Sequence, residues 1–454
     1  MLIKTVTGLA FVFIAIQFVR PNLSNPPIVA ELTAPVAVKQ VLKQSCYACH
    51  SNERRLSWFD EIAPAYWVVA RDVKEARLHL TFSELGTRSA AEQRAALFEA
   101  VNFMQQGEMP PKDYSRLHPE APVTQKEINI LEDYLHPNTA TRSAKAVEAA
   151  DDQYCKWTKN ADKSGIVRAS PNGIAFLPGY KYWKLIGSTV RFDANTLRVI
   201  LGNDVAIKAI ADHKTNPWPD GAAFAKIGWL QQPDEQGMIQ PGAFLKVGFM
   251  VKDKAKFAAT AGWGWAEWVG AELKPYGDNP DFAAECVSCH TPLRKSDYVF
   301  TMPIHFFNGP RSISKTPTDL NALATLSGDI PVNPLDWSVI TSGTNPQAAT
   351  MSTLFGNDTA VRYARTHPYG PYPSGSMLSL VTWHRQEDNH WFGAQMPAKT
   401  KSLEVVGVSV SENGPLSYAY DDYEGSPLKA VKTTGSRKDE RIAYILSQRA
   451  AVMP

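Results

Sequence analysis

The chain has 454 residues, of which 44% are hydrophobic and 20% charged. That length suggests two to four domains, with enough apolar material for real cores. A net charge of +2 leaves no electrostatic case for nucleic acid as a partner.

The first element in chain order is apolar. After Lys4, the stretch from Val6 to Val19 is broken only by Thr7, Gly8 and Gln17. It reads as an export signal or a short anchor. No A-x-A cleavage site follows, and the chain continues Arg20-Pro21-Asn22. Residues 1–29 are therefore expected to remain as an uncleaved membrane anchor.

Residues 30–140 form the next expected domain. A helix-like stretch, Val38 to Cys46, leads into Cys46-Tyr47-Ala48-Cys49-His50. This C-x-x-C-H pattern is the attachment signature of c-type haem. Two thiols add to the two vinyl groups of one porphyrin, and the next residue supplies an imidazole to the iron. A thioredoxin-like pair lacks strand-helix context here, and a zinc site lacks a complete ligand set. Leu97 to Met104 is helical by pattern, and Gly107-Glu108-Met109-Pro110-Pro111 breaks it. Thr124 to Leu135 is a capped amphipathic helix, with Thr124 as N-cap and Glu127 three residues later. Residues 141–164, rich in Ala, Lys, Asp and Thr, read as a linker.

Residues 165–310 look different. Asn172 to Trp183 is turn-rich. Gly242 to Asp253 alternates, which sets Ala243, Leu245, Val247, Phe249 and Val251 on one face. Gly262 to Val269 is aromatic and strand-like. A second C-x-x-C-H, Cys286-Val287-Ser288-Cys289-His290, follows these strands. The pattern predicts a second c-type haem on a small antiparallel sheet with flanking helices. Cys155, the fifth cysteine, reads as an ordinary structural thiol.

Two resemblances carry the reading further. The C-Y-A-C-H-S-N run, the Trp58 to Ala70 stretch with Ile62-Ala63-Pro64, and the M-P-P triplet resemble a monohaem cytochrome c domain of the haem-binding domain type. The likeness implies an all-α, cytochrome c-like fold with Met109 as the second axial ligand opposite His50. His79 and His118 are weaker alternatives, and Met109 could instead fill a core gap. A His/Met-ligated iron has no vacant position and a raised potential, so this haem would move electrons.

Residues 165–310 resemble the cytochrome P-460 family. The shared stretches are Trp183-Lys184-Leu185-Ile186, Pro219-Asp220-Gly221 through Lys226, Gly262-Trp263-Gly264-Trp265, the late C-x-x-C-H, and Lys295 to Thr301. The resemblance implies a lysine nitrogen joined to a meso carbon of the porphyrin. The matching position is Lys226. Alternation puts Lys226 on a face with Ala222, Phe224 and Gly228, where a lysine is costly unless paired or chemically used.

A shift of 154 residues lays Trp183 on Trp337, Ile186 on Ile340, Gly202-Asn203-Asp204 on Gly356-Asn357-Asp358, His213 on His367, Gly221 on Gly375 and Trp229 on Trp383. Residues 311–454 are thus expected to be a degenerate repeat. Lys226 falls on Leu380, and no cysteine follows Cys289, so this copy cannot hold a c-type haem. The fold class expected is an N-terminal all-α cytochrome c-like domain, then two α+β antiparallel-sheet P-460-like domains.

The expected function is a periplasmic, membrane-anchored dihaem cytochrome, with one haem lysine-linked. Hydroxylamine or nitric oxide would be oxidised at the His290 haem, left five-coordinate. Electrons would leave through the His50/Met109 haem to a soluble cytochrome or other periplasmic acceptor. The rivals are a nitric-oxide trap or sensor, similar to beta-type cytochromes c-prime, and a haem peroxidase. Hydroxylamine-oxidising relatives use a distal carboxylate, for which Glu267 and Asp297 are the nearby candidates.

Overall fold

The computed structural model describes residues 2–53, 56–119, 121–135, 144–159, 166–308, 320–367, 370–411 and 414–454. The chain divides into two compact units, Met1–Pro137 and Asn138–Pro454.

The first unit is helical: α1 (Leu2–Ile16), α2 (Val36–Ser45), α3 (Tyr47–His50), α4 (Ala65–His79), α5 (Ala90–Gln105), α6 (Lys112–Leu117) and α7 (Gln125–Leu135). α1 holds the apolar N-terminal stretch. Its 15 residues reach about 22 Å, against a bilayer core of about 30 Å. No helix among the described residues is long and apolar enough to cross a membrane. Helix α2 buries Val38, Val41 and Leu42, and α7 buries Ile128, Leu131 and Leu135. The two helices pack together, and α3 sits against α2 and α4. The expected cap of α7 is present: Thr124 N donates to Glu127 Oε2 (2.8 Å), and Glu127 N donates to Thr124 Oγ1 (3.3 Å). A second capping box, Ser89 with Glu92, starts α5 well before Leu97.

The second unit opens with α8 (Ala144–Lys159), inside the stretch expected as a linker. Ala150, Tyr154 and Trp157 form a buried stripe at helical spacing. Gln153 clamps the Phe244 backbone, donating to its carbonyl at 3.2 Å and accepting from its N–H. Composition alone suits a linker or a helix, and the aromatic stripe decides. Residues 136–143 and 160–165 lie outside the described residues.

Next come β1 (Lys184–Arg191), β2 (Thr196–Gly202), α9 (Asp204–Ala211), β3 (Ala223–Pro233), β4 (Ile239–Lys252), β5 (Trp263–Val269), β6 (Lys274–Pro275) and α10 (Ala283–His290). A parallel pair, β7 (Phe306–Asn308) and β8 (Leu326–Gly328), precedes the second half. That half comprises β9 (Ser338–Asn345), β10 (Thr350–Gly356), α11 (Asp358–Thr366), β11 (Met377–Asp388), β12 (Trp391–Val410), β13 (Leu416–Glu424), β14 (Lys429–Val431) and α12 (Ser436–Ser447). The two expected antiparallel sheets are present but joined. They form one twelve-stranded sheet, in the order β14-β13-β12-β11-β10-β9-β1-β2-β3-β4-β5-β6. On β4 the expected alternation breaks. A bulge opposite Gly228 and Trp229 puts Phe244, not Leu245, in the core with Val247 and Phe249.

The same order of elements runs twice. Asn203 caps α9 by accepting from Ala206 N at 3.0 Å and donating to Gly221 O at 2.8 Å. Asn357 makes the same two bonds, to Ala360 N and Gly375 O, at the same distances. The halves meet where Lys184 of β1 opposes Ser338 of β9. Around this point β1 also pairs with β12, and β9 with β4. Such reciprocal contacts are those of a two-fold arrangement.

Each half is closed by the chain that follows the other. Trp229 Nε1 in the first half donates to Val452 O at 2.8 Å, and Trp383 Nε1 in the second to Ala324 O at 3.0 Å. Tyr180 Oη donates to Pro454 O at 2.9 Å. Deleting residues 450–454 should therefore destabilise the sheet unit severely. Each orphaned buried donor costs about 1–3 kcal/mol, and lost burial of Val452 and Met453 adds about 1.5–3 kcal/mol each. Urea unfolding followed by circular dichroism should show the sheet transition moved far down and the helical unit's unmoved. An unchanged sheet midpoint would contradict the exchange of tails.

Candidate haem sites

In the helical unit, Cys46 precedes α3 and Cys49 and His50 end it, so thiols and imidazole share about one helical turn. His50 Nδ1 donates to Leu80 O at 2.9 Å. That bond leaves the Nε2 lone pair for a metal. Burial lowers the His50 pKa and keeps the ring neutral. Burial also pushes the thiol of Cys46 up to about 12 and that of Cys49 up to about 11. Neither is a thiolate at neutral pH once folded, so neither is reactive.

Met109 lies between α5 and α6 and is 39% exposed. At that exposure it does not fill a core gap. His118 is committed elsewhere. Its Nδ1 donates to Tyr114 O and its Nε2 bonds Asp60 Oδ2, both at 3.0 Å, and its side chain is 3% exposed. The ring also stacks on Tyr114, with centroids 3.8 Å apart. His79 is exposed at the end of α4.

In the sheet unit, α10 carries Cys286, Cys289 and His290. His290 Nδ1 donates to Tyr298 O at 2.7 Å, the same device as at His50. Burial first, then the nearby Lys226 charge, lowers the His290 pKa to about 4. Its ring is flanked by Trp265 and Phe300, with centroids 5.6 and 4.9 Å away.

The sheet face under α10 is separate from the main core. Ile200, Phe224, Met250, Trp263 and Trp265 form its apolar part, against Cys286, Val287 and Tyr298. Lys226 lies in this face, opposite Ile200 on β2 and Gly248 on β4. Gly248 in turn opposes Glu267 on β5. A Cβ at Gly248 would sit 3.5 Å from Glu267 Oε2 and 3.8 Å from Lys226 Cε. Glycine thus keeps the space between amine and carboxylate open. Burial, helped by the Arg198 charge and opposed by Glu267, lowers the Lys226 pKa to about 8. Desolvation lowers Arg198, half-buried beside them, to about 9.

Of the two candidate carboxylates, only Glu267 belongs to this row. It accepts from Lys246 Nζ at 2.9 Å. Asp297 is spent on structure, paired with buried Lys252 at 2.8 Å and accepting from Trp218 N at 2.9 Å.

These residues fit haem at both motifs. The thiols are not joined as disulfides, and each imidazole is neutral, with Nδ1 held by a backbone carbonyl and Nε2 left for a metal. In the sheet unit, Trp263 Nε1 and Trp265 Nε1 are buried without hydrogen-bond partners. Unanswered buried donors of that kind suit a ligand with acceptor groups. Residues 11–137 match the family model of a haem-binding domain, and residues 177–301 match that of cytochrome P460. The chain joins a haem-binding domain to a cytochrome P460 domain. It is therefore a haem cytochrome, and its P460 domain makes it a haem oxidoreductase in general class. No curated protein matches the chain.

The second half fills the corresponding face. Leu380 opposes Glu404, which stands where Gly248 stands, and Asp422 follows at the Glu267 position. Glu404 is bound by Arg441 of α12 at 2.6 Å and by Tyr420 Oη at 2.7 Å. Sequence reasoning missed Arg198, Phe300 and the Tyr298 carbonyl. Alternation on β2 could have placed Arg198 with Ile200, but its meeting with Lys226 depends on strand register.

Removing the His118 partner tests the structural role of that histidine. Asp60→Ala removes the carboxylate shared by His118 Nε2, Ser57 Oγ and Ser57 N, leaving the two side chains only each other at 3.3 Å, a cost of about 2–4 kcal/mol. The helical unit should melt about 6–20 °C lower. Its haem spectrum below that melt should be unchanged, and a changed spectrum would instead make His118 an iron ligand.

Proposed function

We propose that this chain is a periplasmic dihaem c-type cytochrome. It oxidises hydroxylamine, or nitric oxide, at the haem held by Cys286, Cys289 and His290. Electrons pass through the haem held by Cys46, Cys49, His50 and Met109 to a soluble cytochrome or other periplasmic acceptor. The observation that carries this reading is the row Lys226–Gly248–Glu267 on the sheet face that α10 covers.

A bound haem would supply an iron that takes up electrons one at a time. The protein residues do the rest. His290, neutral above about pH 5 because its pKa is near 4, holds the metal from one side. No methionine–proline–proline signature follows Cys286, only the single, weaker Met302-Pro303, which supports an open side for substrate. Lys226, with a pKa of about 8, is roughly one-tenth neutral at pH 7, against about one in three thousand for an ordinary lysine. The neutral amine is the nucleophilic form; exchanging a porphyrin meso hydrogen for its nitrogen would release two protons and two electrons, which an oxidant such as a peroxide would take up. Glu267 is the carboxylate that accepts the substrate proton. Trapping of nitric oxide is the second reading, favoured by the Lys246–Glu267 pair, which occupies the proton acceptor.

Thioether attachment of haem takes place outside the cytoplasm, which supports the periplasm. α1, with Val6, Leu9, Phe11, Val12 and Ile14 exposed, is the element that tethers the chain to the inner membrane. The second half of the sheet is a duplicate of the first that has lost its haem.

Two experiments test this assignment. Electron paramagnetic resonance of the oxidised protein should show one six-coordinate low-spin haem and one five-coordinate high-spin haem. Met109→Ala should abolish only the low-spin methionine signature, and two low-spin signals in the wild type would sink the division of labour.

Lys226→Leu reproduces the residue found at Leu380. Both haems should stay bound through cysteine, while a red-shifted absorption band and hydroxylamine oxidation disappear. Mass spectrometry of digested wild type should find the Lys226 peptide joined to the Cys286 haem peptide. A free Lys226 peptide would falsify the link.

A further inference from the structure

Phe300 ties the His290 ring to the second half of the sheet. Its ring meets the imidazole edge-on at 4.9 Å. Two residues earlier, the Tyr298 carbonyl accepts the His290 Nδ1 proton. On its other side Phe300 meets the Trp391 ring at 5.8 Å. Its carbonyl accepts from His390 Nδ1 at 2.7 Å. His390 and Trp391 lie at the tip between β11 and β12, in the half that carries no haem motif.

That tip is held firmly against the first half. Trp391 Nε1 donates to Asp193 Oδ2 at 3.1 Å. The Arg191 guanidinium lies 4.1 Å above the Trp391 ring and pairs with Asp193. Phe192 N donates to Gly393 O at 2.8 Å. β1 also backs closely on the same segment, since a Cβ at Gly187 would come within 2.7 Å of Thr301 Cγ2.

The equivalent tip of the first half is different. It reads Asp234-Glu235-Gln236-Gly237-Met238, with no histidine and no aromatic residue. It reaches toward the second half, where Ile239 opposes Thr344 and no cysteine pair exists. The aromatic tip therefore occurs only where it faces a haem motif.

We propose that the second half is a working part of the haem site in the first. His390 and Trp391 are positioning residues: they hold Phe300, and through its ring and the short backbone link to Tyr298 the plane and hydrogen bond of His290. An imidazole ligand depends on its outer partners for orientation and basicity, and their loss commonly costs about 10–100-fold in metal affinity or activity. The role rests on the reading that Cys286, Cys289 and His290 hold haem.

The test uses full-length, haem-loaded protein and reads each haem separately. His390→Ala and Trp391→Ala should change the resonance anisotropy and midpoint potential of the Cys286–Cys289 haem alone, and lower hydroxylamine oxidation at least about tenfold. The haem at Cys46–Cys49 is the internal reference and should not move. His390→Gln, whose amide can still donate to the Phe300 carbonyl, should restore most of the wild-type signature. Trp391→Phe, which keeps a ring against Phe300, should lie between. Gln236→Ala at the other tip should change neither haem. If haem is absent at Cys286 in the wild type, the underlying assignment fails. If it is present and the His390 and Trp391 variants, folded by circular dichroism, leave its resonance and potential unchanged, the positioning role is wrong. Should the alanine variants not fold, the glutamine and phenylalanine variants decide by the same two readouts.

Discussion

The backbone pairing of Lys184 with Ser338, flanked by the β1–β12 and β4–β9 pairings, is the junction on which the sheet unit depends. Two edge strands, β1 and β9, would otherwise present unpaired N–H and C=O groups, a standing liability of open sheets. Joining them turns two sheets into one of twelve strands. The join brings β12 onto β1 and β4 onto β9, and it merges the apolar faces into one core. Trp229 and Trp268 share that core with Trp383 and Leu403. The tip that reaches Phe300 is placed by the same join.

The second constraint is the gathering of cations on a buried sheet face. Arg198 and Lys226 both sit where desolvation disfavours charge, and both have lowered pKa values. A structure that only needed stability would place apolar residues there, as the second half does with Leu380. The second half also closes the space with Glu404, bound to Arg441 and Tyr420. The contrast between Gly248 and Glu404 separates a face kept open from a face filled in. Perturbed groups that cluster around a kept-open space are the physical mark of a functional site.

Much of this was legible in the chain itself. The two C-x-x-C-H motifs carry their chemistry in their spacing. Thr124 and Glu127 announce the start of α7, and period two placed Lys226 with Phe224 and Gly228. What escaped is what depends on distance along the chain. Glu267 could not be chosen over Asp297 until strand register set it beside Gly248 and showed Asp297 bound to Lys252. The bulge in β4 is a property of two strands, so one strand's alternation could not reveal it. α8 was hidden by a composition that serves linkers and helices alike, although its Tyr154 and Trp157 stripe was present. The start of α5 is written in Ser89 and Glu92, but its first turns lack the strong apolar face that marks a helix by periodicity.

The exchanged tails impose an order in time. During synthesis Cys286 and Cys289 appear well before Val452, whose carbonyl the Trp229 indole needs. Until then the first half lacks the acceptor for that indole and the cover that Val452 and Met453 give its core. The haem motif of the first half thus belongs to a sheet that is finished only by residues 450–454 of the second.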